Sequence, residues 1–265
     1  MKNWKSYISV TLLISSLILV LSFSRSEQLE KVCTGIKIQI DHHTGNFFVE
    51  EEDIHAMVYH EIDTVVGRLM MDINSHRLEH KISNHPSIEK AEIYKTINGE
   101  LRIQIQQRRP IVRIFNAFGE SFYLDSQAEP MPISSKFTSR VLVASGYITA
   151  GLVDAHQIAF QSEGSDTADE ESKILYDVHT FAAYIHKDDF WNAQIEQLYV
   201  NKEMEIELIP RVGNHRIVFG DATSIEKKFN KLKIFYHEGL DKTGWNEYSV
   251  INLKYANQVV CKKKY

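Results

Sequence analysis

The sequence predicts an α+β chain: an N-terminal transmembrane helix, a small domain ordered strand, helix, helix, strand, strand, and a larger mixed β domain with two helices. Three observations carry that expectation. An uncharged apolar run, residues 7–23, follows Lys2 and Lys5. Residues 101–106 alternate Leu101, Ile103 and Ile105 with Arg102, Gln104 and Gln106, the period of two that a half-buried strand requires. Arg108-Arg109-Pro110 then interrupts this strand. Because proline cannot donate to a ladder, the apolar run 111–115 starts a different pairing, and one domain gives way to another here.

Composition narrows the function classes. The chain has 265 residues, 43% of them hydrophobic, which suffices for a core. A net charge of -5 argues against a nucleic-acid binder, which normally carries a concentrated basic surface. The only dense basic run is Lys262-Lys263-Lys264. Cys33 and Cys261 lie near opposite ends of the chain, which is neither a disulfide framework nor a zinc spacing; a single long-range bridge stays open.

At a rise of about 1.5 Å per residue the run 7–23 spans roughly 25 Å, and Trp4 as an interfacial anchor brings it near the hydrocarbon thickness of about 30 Å. The segment after it offers no A-x-A cleavage site, so a retained anchor is favoured over a cleaved signal peptide. The positive-inside rule puts residues 1–6 in the cytoplasm and the bulk outside. Residues 24–34 read as a tether.

Residues 36–40 alternate as a strand, and Phe47-Phe48-Val49 reads as the return of a hairpin-like excursion. Glu50, Glu51, Glu52 and Asp53 are acids suited to a helix start. Asn74 can cap a second helix whose apolar Leu78 and Ile82 lie four apart, ending near Asn84-His85-Pro86. Residues 88–97 form a strand candidate, and Asn98-Gly99 is a hairpin turn back into residues 101–107.

This order is that of a POTRA domain, and Leu78, Ile82, Pro86, Ile88 and Ala91 fall where the FtsQ-type POTRA carries its L-x(3)-L-x(3)-P-x-V-x(2)-A pattern. Arg108, Pro110 and Ile111, followed by Gly119 and Tyr123-Leu124-Asp125, resemble the domain junction of the FtsQ/DivIB family of bacterial division proteins. That family usually has a glycine shortly after its Tyr-Leu-Asp. Here Gln127-Ala128-Glu129 stands instead, so a local difference in this hairpin is expected. Gly220, Lys231 and Leu232 fit the family's later helix, and Asn252-Leu253-Lys254-Tyr255 is similar to its closing D-L-R-Y. The resemblance implies a POTRA domain over residues 35–110, a β domain over 111–258 and a basic tail over 259–265.

Within the β domain, residues 120–125 and 140–144 read as short strands separated by a turn-rich segment with Pro130 and Pro132, and residues 162–172 as a polar loop. Ile174, Leu175, Val178, Phe181, Ala182 and Ile185 make one helical apolar face. Residues 195–200, 204–209 and 215–219 read as a meander, residues around 225–235 as a second helix, and residues 249–255 as the last strand.

Chemistry finds little support. His76-Arg77-Leu78-Glu79-His80 matches the inverted zinc-protease motif H-x-x-E-H. Leu78 and Ile82 define the buried face of that helix with both histidines outside it, and no third ligand is singled out. Asp169-Glu170-Glu171 is explained by helix capping, and Arg108-Arg109 by a solvated strand end or an interdomain ion pair. There is no P-loop, nucleophile elbow or dinucleotide fingerprint. We expect no enzyme activity, cofactor, metal or small-molecule substrate.

The last strand is the better candidate. As an edge it can accept a strand from another protein, with Ile251, Leu253 and Tyr255 on one face and Val250, Asn252 and Lys254 on the other, and with Trp245 and Tyr248 as aromatic anchors or core. The opposing reading is that these residues cover the core and the tail blocks the edge. The resemblance implies that this region binds FtsB/FtsL-type partners, making the chain a non-catalytic bitopic scaffold in the inner membrane, periplasmic in bulk and enriched at the septum. The alternative is an anchored POTRA protein that guides outer-membrane or secreted polypeptides.

Overall fold

Alternation and capping, the strongest signals in the N-terminal part, both become structure. The computed structural model describes residues 4–29, 31–42, 45–161 and 170–264, and the chain divides into two units, Met1–Gln107 and Arg108–Tyr265. The first holds α1 (Trp4–Leu29), β1 (Gly35–Asp41), α2 (Glu51–Glu61), α3 (Ser75–Ser83), β2 (Ile88–Lys95) and β3 (Glu100–Gln107). β3 is the middle strand, parallel to β1 and antiparallel to β2. Leu101, Ile103 and Ile105 face the core, where Ile54 and Val58 of α2 and Leu78 and Ile82 of α3 are also buried. Removing one of these side chains, as in Leu78→Ala, costs about 3 kcal/mol through lost burial and a cavity.

Asn74 caps α3, its Oδ1 accepting from Arg77 N at 3.0 Å. Residues 47–49 do not form the expected strand. Phe48 and Val49 are buried, and Val49 N donates to the side chain of buried Gln107 at 3.0 Å, so a side chain and not a ladder satisfies this stretch. The Gln107 Nε2 in turn donates to Asn46 O at 3.0 Å.

The described side chains of α1, residues 7–19, are exposed all round. They reach only about 20 Å at 1.5 Å per residue, against the roughly 30 Å of a hydrocarbon core. Side chains 20–23 of the expected span lie outside the described residues. Among the described residues no helix is long and apolar enough to cross a membrane.

The second unit holds β4 (Pro110–Phe115), β5 (Ser121–Asp125), β6 (Pro130–Pro132), β7 (Leu142–Gly146), α4 (Leu152–Gln161), α5 (Glu170–Lys187), α6 (Asp189–Gln194), β8 (Ile195–Val200), β9 (Ile206–Pro210), β10 (Arg216–Gly220), α7 (Ile225–Phe235), α8 (Asp241–Thr243), β11 (Tyr248–Asn252) and β12 (Val260–Lys263). A π-helical turn, Tyr236–Leu240, joins α7 to α8. Nine strands form one mixed sheet in the order β12-β11-β10-β9-β8-β7-β4-β5-β6. The register aligns a single row across it: Pro132, Phe122, Ile114, Ala144, Leu198, Leu208, Ile217, Ile251 and Cys261. This row is the floor of the core, and the expected apolar face of α5, from Ile174 to Ile185, is buried in the same cluster.

Several expectations change. α4, α6 and the short α8 add to the two helices expected, and Pro130–Pro132 pairs with β5 as an edge strand instead of turning. Residues 162–169 of the expected polar loop lie outside the described residues, and 170–172 already belong to α5. The second unit begins at Arg108, against the expected border after Pro110. Residues 259–265, expected as a tail, contain β12.

Candidate functional site

The candidate site is built at one end of the nine-stranded sheet, and its geometry corrects the position expected for the open edge. β11 is not outermost: it runs between β10, to which it is parallel, and β12, to which it is antiparallel. Ile251 and Leu253 are fully buried, and Leu253 N donates to Val218 O at 2.9 Å. The strand expected to offer its backbone has therefore spent it on both sides. Of the residues expected to meet a partner, Ile251 and Leu253 belong to the core, Val250 and Asn252 are half-buried on the opposite face, and Lys254 and Tyr255 are exposed in the turn that follows.

β12 takes the outer position, and among the described residues no strand lies beyond it. Lys264 N donates inward to Glu247 O at 2.9 Å, and Lys262 O accepts from Ser249 Oγ at 3.2 Å. Backbone polar groups alternate sides along a strand, so the N–H groups of Cys261 and Lys263 point to the open side, while Lys263 O is also reached by Ser249 Oγ at 3.5 Å. The other end of the sheet differs. There β6 carries Pro130 and Pro132, which blunt it as a template for pairing.

The support beneath β11 and β12 is aromatic and cationic. Trp245 packs edge-on against Tyr236 at 5.0 Å, and Tyr248 lies 5.9 Å from Phe235. His215 is buried under them, its Nε2 3.1 Å from the Tyr236 hydroxyl. Burial pushes the His215 pKa down, opposed in part by the Trp245 carbonyl, and burial pushes the Tyr236 hydroxyl far up, so it stays protonated.

Lys231 of α7 holds the turn between β11 and β12: its ammonium donates to the carbonyls of Leu253 at 2.9 Å, Tyr255 and Gln258. All three donors of the side chain are thereby used on this turn, which Asn252 also holds, its Oδ1 accepting from Lys254 N at 3.0 Å. Desolvation, then the nearby Lys228, pushes its pKa down. Gly220, at φ +87°, lets Lys254 cross close to the backbone, where an added Cβ would meet the lysine Cγ at 3.3 Å. The Lys254 ammonium reaches the Glu205 carboxylate. Sequence reading picked out Gly220 and Lys231 by resemblance alone; these contacts supply their physical reason.

The junction residues fall together inside the second unit. Arg108 NH1 pairs with Asp125 at 2.9 Å, and the buried Asp125 Oδ1 accepts from Gln127 N at 2.8 Å and Glu129 N at 2.9 Å. Pro110 and Ile111 begin β4, with Pro110 opposite Asp125. Ala128 stands at φ +65°, a left-handed position that glycine occupies without cost. The backbone thus makes the turn without the glycine, and the expected local difference lies in the residue, not in an abandoned pairing.

The zinc-like motif resolves differently. His76 and His80 are exposed on α3, while Glu79 Oε2 accepts from Ile93 N at 3.2 Å. That carboxylate ties the helix to β2 and is not poised as a base. Glu171 likewise accepts from Thr149 Oγ1; Asp169 lies outside the described residues. Among the described residues no group of three or more His, Cys, Asp or Glu is placed to hold a metal.

The architecture defines a class: a β-α-α-β-β unit followed by a mixed sheet whose outermost strand is close to the C-terminus. Residues 109–262 match the family described as FtsQ/DivIB, C-terminal related, and residues 31–106 match the POTRA-like domain. The chain belongs to the FtsQ/DivIB family. No curated protein matches it. Both matched families are non-catalytic scaffold types, and at family level the chain is a division-protein scaffold.

Proposed function

We propose that the chain is a bitopic scaffold of the cell division machinery, anchored in the inner membrane by α1 with residues 1–6 cytoplasmic and its two units periplasmic. It holds an FtsB/FtsL-type partner by adding one of the partner's strands to β12 and is enriched at the septum, linking early and late division proteins. The observation that carries this reading is the asymmetry of the sheet: one edge is blunted by two prolines, the other is a proline-free strand beyond which no described strand lies. Main-chain pairing gives such a contact its affinity and the alternating side chains its specificity. Trp245 and Tyr248 serve from below as packing that fixes β11, while Val250, Asn252, Lys254 and Tyr255 border the contact. The uniformly exposed apolar side chains of α1 support the anchor. Confinement to the membrane plane raises the local concentration of other single-span proteins without any new contact.

Lys263→Pro tests the contact. It removes an outward N–H and the exposed Lys263–Glu247 ion pair, worth little in water, and leaves the Lys264 N to Glu247 O bond in place, so the chain should fold with a nearly unchanged melting temperature while capture of FtsB/FtsL-type proteins from the membrane fraction falls at least about tenfold. Undiminished capture by this variant would refute strand addition at β12.

A further inference from the structure

The first unit carries an apolar surface at the end where β1 begins. Three stretches meet there through backbone hydrogen bonds: residues 31–34 lead into β1, 66–71 lie between α2 and α3, and 97–99 turn β2 into β3. Met70 N donates to Lys31 O at 2.8 Å, Cys33 N to Arg68 O and Gly67 N to Cys33 O at 2.7 Å, and Thr34 N to Gly99 O at 2.8 Å. Gly99 stands at φ +83°, and an added Cβ would meet Val32 O at 2.9 Å, so glycine is what lets the turn approach this closely. The layer is thus held by its backbone, whatever its side chains face.

Those side chains divide into two sets. Val32 and Leu69 form an antiparallel bridge, and bridged residues share a face. Their successors Cys33 and Met70 are buried, while Val32 and Leu69 are exposed. Val66 is also exposed, as are Met71 at 56% and Ile97 at 69%. Single exposed apolar residues are ordinary, but five carried on mutually bonded stretches mark a contact surface. Lys31, Arg68 and Lys95 are exposed around it and outnumber Asp63 and Asp72, exposed acids of the 62–73 segment. The Lys31 ammonium also donates to Ile97 O at 2.9 Å, which sets Ile97 beside the chain's entry into the unit.

Covalent geometry says what this surface meets, given the reading of α1 as the anchor. The expected span ends at Phe23 and α1 runs six residues further, to Leu29, about 9 Å along the axis. Three more residues reach at most about 11 Å, so Val32 stays within roughly 20 Å of the hydrocarbon edge. Phe47, near the far end of β1, lies about 20 Å beyond it along the strand. The tether therefore delivers the apolar end of the unit to the lipid first.

We infer that this surface rests on the bilayer interface, with Val32, Leu69, Met71 and Ile97 entering the headgroup level and the cations of Lys31 and Arg68 meeting lipid phosphates. Apolar side chains at that depth gain burial while lysine and arginine keep their charged ends among the headgroups. A single helix alone leaves the unit free to swivel; this second contact fixes its orientation to the membrane.

The test uses the full chain in nanodiscs, with a fluorophore on one introduced cysteine in Cys261→Ser, Cys33 being buried. Leu13→Cys in α1, Ile97→Cys in the surface and Phe47→Cys at the far end are labelled in turn, and the lipids carry a spin label either at the headgroup or deep in the acyl chain. The deep spin label should quench the Leu13 site, and the headgroup spin label should quench Ile97 at least about fivefold more than Phe47. In Val66→Glu/Met71→Glu, whose replaced side chains are exposed, quenching at Ile97 should fall to the Phe47 level. Equal quenching of Ile97 and Phe47, with Leu13 quenched, would overturn membrane docking, give the surface to a protein partner and leave the anchor standing. Quenching at Ile97 that survives the two glutamates would come from the short tether alone and overturn it too. If Leu13 escapes the deep spin label, the anchor itself falls, and this inference with it.

Discussion

Ala128 shows how a single residue can depart from a pattern without departing from its structure. The turn after Asp125 needs a left-handed residue, and Asp125 organises it by accepting two backbone N–H groups while paired with Arg108. The strain of an alanine there is therefore borne by the turn, and Ala128→Gly should stabilise the second unit by about 0.5–1 kcal/mol in denaturant titration. A loss of stability would contradict the assigned conformation. His215 makes a different prediction. Its folded pKa lies below the ordinary 6.5 because it is buried, so between the two values the unfolded chain binds more protons and stability rises with pH. Its contribution is complete above about pH 6.5 and is lost as the pH falls through 6.5 toward the lowered value. Trp191 and Trp245 report on this unit, and in His215→Gln the acid-induced loss seen in their fluorescence should be smaller; an unchanged pH profile would remove His215 from the account.

At the scale of elements, what was legible in sequence depended on how much of an element's signal lies in its own residues. β3 and α5 carry complete periodic faces, so both were placed from their apolar spacing, and the capped α3 was bounded by Asn74 and Pro86. β6 was hidden because two prolines in three residues oppose strand formation on propensity grounds; the partner strand β5, not local preference, makes it a strand. β12 was hidden by its lysines, which read as a solvated tail although Val259 and Cys261, just before them, pack against the core. The sheet's open edge was thus expected on β11, whereas β12 lies outside it. The consequence is practical. Leu253→Pro, an obvious edge-blocking change from sequence, would break a buried bond to Val218 and unfold the site, whereas Lys263→Pro removes an outward N–H and only an exposed ion pair with Glu247. The contacts of Lys231 with three carbonyls were beyond sequence reading because they join residues more than twenty positions apart.

At the scale of the whole molecule, a POTRA-like unit followed by an FtsQ/DivIB unit makes the chain a division-protein scaffold at family level, and both families are non-catalytic scaffold types. The central claim is therefore tested most directly in cells, by imaging an N-terminal fluorescent fusion that supports growth while the native copy is depleted. The account predicts mid-cell bands of the fusion, and filaments when neither copy is supplied. Uniform envelope fluorescence with normal division would contradict it and favour a role in guiding outer-membrane or secreted polypeptides.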